Sequence, residues 1–463
     1  MGTTAIAAPG APRPDHAARG PAMARRALAT LLYAAGAIAC AATAAPAPPQ
    51  ASPVASGVRH VAWARNANIY EVNLRQYTPE GTFRAFEAHL PRLREMGVDI
   101  LWLMPVQPIG VQERKGTLGS YYSVRDYVAV NPEFGTLAEF RQLVARAHAL
   151  GMKVILDWVA NHTAWDHPWL SQHPQWYQKD ADGRIRSYVY DNGTEIEHWT
   201  DVVGLDYRQT ALWPAMIEAM RYWVRETGID GFRCDVAARV PIAFWERARR
   251  ELEAEKPLFM LAEASEPVLH RAAFDMSYDW ELAVILRGIA AGRLTARDLA
   301  AYHERPQGFP PDAYRMTFTS NHDINSWTGS DRELYGEGFK AFAVLAATWP
   351  GMPLVYSGQE SGLDRRLAFF EKDAIDWKSY GLADFYAGLL RMKKDNPVLW
   401  NGAAGGSMAI LASDNDQVLA FERRKGEQAL RVTINFSGTP QAVSIDGAAP
   451  SQLAPWEYRI DPR

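Results

Sequence analysis

Short apolar runs alternate with segments of helical apolar spacing along most of the chain after residue 56. Ile100–Leu103 is continuously apolar, as in a buried strand, and Leu137–Leu150 carries apolar residues at helical spacing before Gly151. Eight such apolar runs predict strands at Ile69–Leu74, Ile100–Leu103, Val154–Leu156, Phe232–Val236, Phe259–Glu263, Phe274–Tyr278, Met316–Thr319 and Leu354–Tyr356. Helices are predicted at Phe83–Met96, Leu137–Leu150, Ala211–Arg225, Ile242–Glu255, Trp280–Ala291, Leu299–His303, Phe339–Thr348 and Phe385–Lys394.

This alternation predicts an α/β fold with a parallel sheet covered on both faces. Eight strand–helix units in residues 57–395 fit a (β/α)8 TIM barrel, with an inserted domain at about 163–206 after strand 3. An open doubly wound sheet is the alternative, but no Gly-rich turn of the dinucleotide-binding type follows an early strand. After Asn396, alternating segments such as Gln417–Arg423 predict a small C-terminal antiparallel β domain, residues 396–463.

Residues 1–56 have a different pattern, which predicts an export signal and a linker. Arg25-Arg26 precedes the apolar run Ala27–Ala39, and small residues follow at Ala42–Ala44, where a signal peptidase would cut. The core of this signal is 23–44, and a Pro- and Ala-rich stretch then reaches about Ser56. The protein is therefore expected to be exported, to the periplasm or the medium, and to keep no stable membrane span once the signal is removed.

Three alternatives to this interpretation of the N-terminus stay open. Translation starts either at Met1 or at Met23, because residues 1–22 lack structural pattern. The apolar run approaches the length of an uncleaved membrane anchor, although its alanine richness favours cleavage. Attachment as a lipoprotein through Cys40 is a weaker alternative, since Ala37 is a poor residue three places before the cysteine.

Composition excludes several classes of protein. The chain has 463 residues, of which 48% are apolar and 22% charged, which is ordinary globular usage and not that of a disordered chain. With a net charge of −4 and no basic stripe, the chain is a poor binder of nucleic acid, because such binding rests on neutralising phosphates. Two cysteines, Cys40 and Cys234, cannot form a disulfide framework or a Cys-rich zinc site.

Acidic residues recur where the predicted strands end. Asp157, Asp235 and Glu263 end the third, fourth and fifth strands, and Asp323 follows the seventh. Each one alone is as readily a helix cap or a structural partner. In a TIM barrel, however, these ends converge on the face that carries the active site, and clustered carboxylates repel one another unless a site uses their charge.

Paired carboxylates in a chain with 11% aromatic residues point to hydrolysis of glycosides. Arg233 precedes Asp235 by two residues on one strand, so both side chains share a face. Its guanidinium is expected to hold Asp235 ionised, as a nucleophile requires, while a second carboxyl with a raised pKa protonates the leaving oxygen. The alternative is an ordinary Arg–Asp ion pair between strands. Cys234 should point the opposite way, into packing, and have no catalytic role.

The sequence resembles the α-amylase family (glycoside hydrolase family 13) from Ile69 to Glu360. The matching blocks occur in the family order and are Gly119–Tyr127, Asp157–His162, Gly231–Asp235, Leu261–Glu263, Asn321–Asp323 and Gly351–Glu360. The resemblance implies that Asp235 is the nucleophile, Glu263 the general acid and later base, and Asp323 a stabiliser of the transition state. It also implies substrate-binding or positioning roles for Tyr122, Asp157, His162, Arg233 and His322.

The implied activity is that of an exported, endo-acting α-1,4-glucan hydrolase, which cleaves starch or maltooligosaccharides by a retaining double displacement. A glucanotransferase, or an exo-acting maltodextrin glucosidase, would use the same residues. A non-catalytic carbohydrate-binding protein is an alternative of another class, but such a protein is expected to lose one or more of the three acidic groups, and all are present here.

The chain departs from the family pattern in two places. Many α-amylases hold calcium between barrel and inserted domain; here Asn161 is present, but Gly204 and Arg239 stand at the other expected ligand positions. No metal or other cofactor is therefore expected, and Arg239 is a candidate to replace the charge of the ion. The segment Ile324–Trp327 after Asp323 also lacks an arginine that is often found there. Aromatic residues of the insertion are expected to build a small core, with one or two free to stack on glucose rings.

Overall fold

The computed structural model describes residues 57–193, 195–378 and 380–463. The predicted export signal and linker, residues 1–56, lie outside these ranges. The strands, numbered along the chain, are β1 (Ile69–Val72), β2 (Ile100–Leu103), β3 (Lys153–Trp158), β4 (His162–Ala164), β5 (Ser187–Asp191), β6 (Ile196–Gly204), β7 (Gly231–Cys234), β8 (Phe259–Ala262), β9 (Met276–Tyr278), β10 (Tyr314–Thr317), β11 (Met352–Tyr356), β12 (Ser407–Ile410), β13 (Val418–Lys425), β14 (Gln428–Asn435), β15 (Gln441–Val443), β16 (Ser451–Leu453) and β17 (Tyr458–Pro462).

Eight parallel strands close into a barrel in the order β1-β2-β3-β7-β8-β9-β10-β11, with β11 pairing again with β1. The predicted (β/α)8 barrel is thereby confirmed. Its strands are mostly apolar because one face packs inside the barrel and the other against the helices, and the charged residues Glu71, Asp157 and Arg233 are buried exceptions. The inner layer includes Trp102, Ile155 and Leu261.

The helices are α1 (Leu74–Tyr77), α2 (Phe83–Glu87), α3 (Leu90–Met96), α4 (Leu137–Ala149), α5 (Pro168–Gln172), α6 (Leu212–Thr227), α7 (Ile242–Leu252), α8 (Trp280–Ala290), α9 (Ala296–Glu304), α10 (Asp331–Tyr335), α11 (Phe339–Thr348) and α12 (Ala383–Asp395). The predicted single helix Phe83–Met96 is wrong. It is two helices, because Pro91 lies in the first turn of α3, where it offers no N–H to a continuous helix. None of the described helices is long and apolar enough to cross a membrane.

The first predicted strand was also too long, since β1 ends at Val72 and Leu74 already begins α1. Between β7 and β8 the backbones approach closely at Gly231. A Cβ at this position would lie 1.8 Å from the carbonyl oxygen of Phe259, so a larger residue cannot fit. The register of the two strands pairs Cys234 with Ala262, so the residues that follow them, Asp235 and Glu263, lie side by side.

Two further sheet units accompany the barrel. The insertion after β3 forms an antiparallel sheet in the order β4-β6-β5. After α12, the predicted C-terminal antiparallel sheet is confirmed, in the order β12-β13-β14-β17, with β15 and β16 as a separate pair. Phe342 on α11 packs on Phe436, and Trp349 packs on Phe421, so aromatic contacts join this sheet to the barrel helices.

Candidate active site

The guanidinium of Arg233 gathers three of the predicted acidic residues at the C-terminal end of the barrel. Its Nη1 lies 2.9 Å from Asp157 Oδ1 and 2.9 Å from Asp235 Oδ1, and its Nη2 lies 2.9 Å from Glu263 Oε2. Asp157 is on β3, whereas Asp235 and Glu263 each follow the last residue of a strand, β7 and β8. Three carboxylates from neighbouring strands thus surround one buried cation.

Aromatic rings hold this guanidinium in place. Its central carbon lies 5.0 Å from the ring centre of Trp102, 5.6 Å from that of Tyr122 and 5.8 Å from that of Tyr278. Arg233 Nε also donates to the Tyr278 hydroxyl at 3.1 Å. With no free rotation left, the planar guanidinium can present fixed N–H groups to the carboxylates.

The acidic pair Asp235 and Glu263 lies in a strongly desolvated setting. Burial and the negative charge of Glu263 raise the pKa of Asp235, which Arg233 opposes. Burial also raises the pKa of Glu263, again against Arg233. The expected contact of Arg233 with Asp235 is present, but burial and Glu263 outweigh its effect on the pKa. Arg233 thus favours the ionised form of Asp235, as expected, but it does not hold the pKa of Asp235 at its ordinary value.

A residue with a strained backbone, Val236, donates a hydrogen bond to Glu263. Val236 has a φ of 38°, in the left-handed region that a β-branched residue rarely adopts. In that conformation its N–H donates to Glu263 Oε2 at 2.8 Å. Such strain is kept where surrounding structure imposes it, commonly at functional sites, and here it orients a carboxyl group.

Tyr122, His322 and Glu71 form a second group beside the carboxylates. The Tyr122 hydroxyl donates to Asp157 Oδ2 at 3.1 Å and lies 2.8 Å from His322 Nε2, and the two rings are stacked. His322 Nε2 also lies 3.3 Å from Asp323 Oδ2. Glu71 on β1 accepts from His322 Nδ1 at 2.5 Å. Asp323 is the most open of the acidic residues, with 37% of its side chain exposed.

Sequence reasoning missed Glu71, Trp102 and Tyr278. A charged residue inside the otherwise apolar run Ile69–Val72 was the signal that could have found Glu71, because a buried carboxylate needs a partner. Trp102 donates to Asp157 at 3.1 Å, and Tyr278 accepts from Arg233, but both sit in apolar strands where core packing is the ordinary reading.

His162 is buried and hydrogen-bonded to the backbone of Tyr122. Burial lowers its pKa to about 4, so the ring is neutral, with Nδ1 accepting from the Asn161 side chain at 3.1 Å. Its ring stacks on Tyr188 of the inserted sheet. Direct contacts link seven of the eight predicted site residues around Arg233 and His322, and His162 joins them through the backbone of Tyr122.

The inserted sheet presents a half-buried aromatic pair near Glu263. The rings of Tyr190 and Trp199 are parallel, with centres 5.3 Å apart. Burial and, to a smaller extent, the charge of Glu263 raise the pKa of Tyr190, and Arg239 opposes them. Arg239 stacks on Tyr190 at 4.9 Å and donates to the backbone oxygen of Asp191. Other aromatic residues of the insertion, such as Trp176 and Tyr177, are buried as a core.

The positions that bind calcium in many family members hold Asn161, Gly204 and Arg239 in this chain, and of these only Asn161 has a side-chain oxygen. The Asn161 side chain is engaged by His162 and Tyr188. A Cβ at Gly204 would lie 2.8 Å from the amide carbon of Gln178, whose Nε2 donates to the Leu205 carbonyl, so Gln178 occupies the space in question. Across the described residues, no group of three or more His, Cys, Asp or Glu side chains could hold a metal ion.

Comparisons with known proteins agree with this geometry. The family model for the alpha-amylase catalytic domain matches residues 59–409. The chain is 28% identical over 419 residues to alpha-amylase MalA of Haloarcula japonica, covering 86% of this chain and 59% of that protein. It is 31% identical over 400 residues to an alpha-1,4-glucan:maltose-1-phosphate maltosyltransferase of Rhodospirillum rubrum, covering 78% and 55%. The chain thus spans somewhat more than half the length of these curated relatives.

Two solved structures are similar over most of their length. A noncanonic maltogenic alpha-amylase, AmyB from Thermotoga neapolitana, superposes with a TM-score of 0.74 at 32% identity, covering 82% of this chain and 88% of that one. An alpha-amylase from Lactobacillus plantarum gives 0.75 at 31% identity, covering 87% and 99%. With the strand-end carboxylates around Arg233, these matches show that the chain belongs to the alpha-amylase family of glycoside hydrolases and glycosyl-transferring enzymes.

Proposed function

We propose that the chain is an α-1,4-glucan hydrolase of the α-amylase type that retains the anomeric configuration. The observation that carries this proposal is the contact of one guanidinium, Arg233, with both Asp235 and Glu263. Retaining glycosidases need two carboxyl groups about 5–5.5 Å apart, and residues that end adjacent strands about 4.8 Å apart can meet that need.

In the proposed mechanism, Asp235 attacks the anomeric carbon while Glu263 gives its proton to the leaving oxygen. The bond to the leaving sugar breaks and a covalent glycosyl ester on Asp235 forms. Glu263 then takes a proton from water, the water oxygen attacks the same carbon, and Asp235 leaves as a carboxylate. Two inversions give net retention, and Glu263 regains its proton.

The electrostatics of the pair favour a single proton shared between the two carboxyl groups. Because burial raises the pKa of both Asp235 and Glu263, the two carboxyls favour sharing one proton over two adjacent charges. Val236 donates to one oxygen of Glu263, and Arg233 contacts both residues. One protonated and one ionised carboxyl is the state in which the first step can begin.

The remaining site residues would bind the sugar that is cleaved. We assign Tyr122 to stack on its ring, His162 and His322 to hold its hydroxyls, and Asp323 to stabilise the charge that develops at the ring. Asp157 and Arg233 position Asp235. Interior bonds of starch or maltooligosaccharides are the proposed substrate, since the relatives named above include alpha-amylases.

Transfer to another sugar is the second candidate function, because the relatives also include maltosyltransferases. Hydrolysis and transfer share the glycosyl-enzyme and differ in what attacks it. A time course on maltoheptaose, with the anomeric form of the products recorded, tests both. Products that shorten steadily and have the α configuration are expected. Products longer than the substrate would favour a glucanotransferase, and maltose or glucose alone from the start would favour exo action. Products of the β configuration would contradict the retaining mechanism.

We also propose that the protein needs no calcium and that Arg239 replaces it. This guanidinium links the loop after β7 to the inserted sheet through Asp191 and Tyr190, the kind of bridge that a bound cation would make. We further propose that the protein is exported to the periplasm or the medium, on the basis of the residue pattern of 1–56. N-terminal sequencing of the secreted protein tests it: a mature chain beginning near Ala45 is expected, and one beginning at Met1 would contradict it.

A further inference from the structure

An exposed aromatic side chain follows directly on the candidate site. Trp327 is 46% exposed and lies in a π-helical turn, Ile324–Thr328, that begins immediately after Asp323. Turns of this kind are uncommon and often occur at functional sites. This is also the segment that lacks the arginine often found in the family, so a different kind of contact is available here.

Trp327 is the outer end of a continuous row of rings, which we call the aromatic shelf and define as Tyr122, Phe369, Phe370 and Trp327. The ring centre of Trp327 lies 5.1 Å from that of Phe369 and 5.8 Å from that of Phe370. Phe369 is nearly parallel to Tyr122, with an interplanar angle of 13° and 6.3 Å between centres. The shelf therefore runs from the ring assigned to the cleaved sugar out to solvent.

Hydrogen bonds between three loops hold the shelf in place. Asn325, two residues before Trp327, donates to the Arg365 carbonyl at 3.1 Å and accepts from the Leu367 N–H at 2.9 Å. The N–H of Leu118, in the loop after β2, donates to the Phe370 carbonyl at 3.1 Å. The loops after β2, β10 and β11 are thus tied together, and a sugar would meet a rigid surface and not a mobile side chain.

The shelf lies on the side of the site away from Glu263. Glu263 follows β8. Tyr122 follows β2, and Phe369 and Phe370 follow β11, each three strands away from β8 around the barrel, whereas Trp327 follows β10, two strands away. A general acid stands beside the leaving group. With Glu263 as the general acid, the glucosyl residues that precede the cleaved one, on its non-reducing side, would extend over the shelf.

We propose that Trp327, supported by Phe369 and Phe370, binds the apolar face of these preceding glucosyl residues in an α-glucan chain. The inference rests on the proposed function and adds the part of the substrate that the enzyme recognises. A pyranose face presents C–H groups that pack against an aromatic plane, so the contact needs no hydrogen bond and no charge. Substrates with at least two glucosyl residues before the cleaved bond would gain from it.

The test compares two substitutions of Trp327. Trp327→Leu keeps an apolar side chain without a ring, and Trp327→Phe keeps a ring. In the inactive Asp235→Asn background, calorimetric titration with maltoheptaose is expected to show binding weakened about three- to tenfold by Trp327→Leu and about twofold or less by Trp327→Phe. In the active enzyme, the ratio of kcat/KM on maltoheptaose to that on p-nitrophenyl α-glucoside should fall by a similar factor with Trp327→Leu.

The possible results distinguish a failure of the inference about the aromatic shelf from a failure of the proposed function. If the wild-type enzyme neither binds nor cleaves either compound, the proposed function and the inference both fail. If it cleaves both compounds and Trp327→Leu leaves the ratio at the wild-type value, the inference alone is overturned. Equal losses with Leu and Phe, at an unchanged melting temperature, would also overturn it, because the ring itself would then not be what binds.

Discussion

His322 and Glu71 form a hydrogen-bonded pair inside the barrel, with 2.5 Å between the ring Nδ1 and the carboxylate oxygen Oε1. Burial favours the neutral ring, but the negative charges of Asp323 and Glu71 outweigh it and raise the pKa of His322 to about 9. The ring is therefore an imidazolium at neutral pH. Nδ1–H faces Glu71, and Nε2–H faces Tyr122 and Asp323, where a sugar hydroxyl is proposed to bind.

The substitution Glu71→Gln is expected to move the alkaline limb of the pH profile. Without the carboxylate, the pKa of His322 should fall from about 9 by about one unit or more, so kcat/KM should decline at lower pH than in the wild type. The profile of kcat/KM from pH 5 to 10 measures this. An alkaline limb in the same place would show that Glu71 does not control the ring.

Stability should follow the same ionisation. The pKa of His322 is raised on folding above its ordinary value of about 6.5, so its stabilising contribution is fully present below that pH and is lost as pH rises through about 9. Glu360→Gln is the control for the shift of the alkaline limb expected with Glu71→Gln. It removes another buried carboxylate, which accepts hydrogen bonds from Tyr70 and Arg92. It should lower the melting temperature without moving the alkaline limb.

Asp235→Asn is expected to lower kcat on maltooligosaccharides by more than about 10³-fold, because the amide cannot form the glycosyl ester. Binding of maltoheptaose, measured by calorimetry, should largely persist. Cys234→Ala is the matched control, since Cys234 is the neighbouring residue but packs in the layer between barrel and helices. Near wild-type turnover by the Asp235→Asn variant would contradict the proposed mechanism, in which Asp235 is the nucleophile.

The barrel could be predicted because its strands leave a distinctive pattern. Strands buried on both faces are short and mostly apolar. Runs such as Ile100–Leu103, separated from one another by helices, are therefore typical of a parallel sheet covered on both faces. Ends of elements were less predictable. The break between α2 and α3 depends on where Pro91 falls in its turn, and apolar spacing alone continues across it.

The acidic centre was predictable for a similar reason, since carboxylates at barrel strand ends must converge. The residues that surround and orient this acidic centre could not be predicted in the same way. Glu71 and His322 are 251 residues apart and meet only because the barrel closes. The balance that raises the pKa of Asp235 also depends on burial and on the distance to Glu263, and the sequence spacing of Arg233 and Asp235 contains neither.

The same Asp235→Asn substitution should stabilise the folded protein. Burial and Glu263 raise the pKa of Asp235 on folding, so ionisation of this group disfavours the folded state. The carboxyl thus costs stability above its ordinary pKa of about 3.9, and the cost disappears at lower pH. We expect Asp235→Asn to raise the melting temperature at pH 7 by about 2 °C, a gain that vanishes near pH 4, as followed by circular dichroism.

Asp275→Asn provides a control of opposite sign. Although burial opposes it, the nearby Arg249 lowers the pKa of Asp275, and the two side chains lie 2.7 Å apart. Its stabilising contribution is present above the ordinary pKa and is lost as pH falls through the lower folded value. Asp275→Asn should therefore lower the melting temperature at pH 7. The same sign for both variants would contradict the electrostatic account of Asp235.

The bridge made by Arg239 predicts how the protein responds to a chelator. If the guanidinium holds the inserted sheet through Tyr190 and the Asp191 carbonyl, EGTA should change the melting temperature by less than about 1 °C, because no stabilising ion is removed. Arg239→Ala should lower it by about 2 °C or more, since a cation–π contact and a charged hydrogen bond are lost together.

A matched control and a metal analysis complete this test. Arg208 is exposed, as Arg239 is, but it pairs with Asp206 only two residues away, so its contact does not join two parts of the fold and Arg208→Ala should leave the melting temperature within about 1 °C of the wild type. Elemental analysis of the purified protein should find less than one calcium per chain. A melting temperature that falls with EGTA and recovers with calcium would show that an ion, and not Arg239, joins the sheet to the barrel.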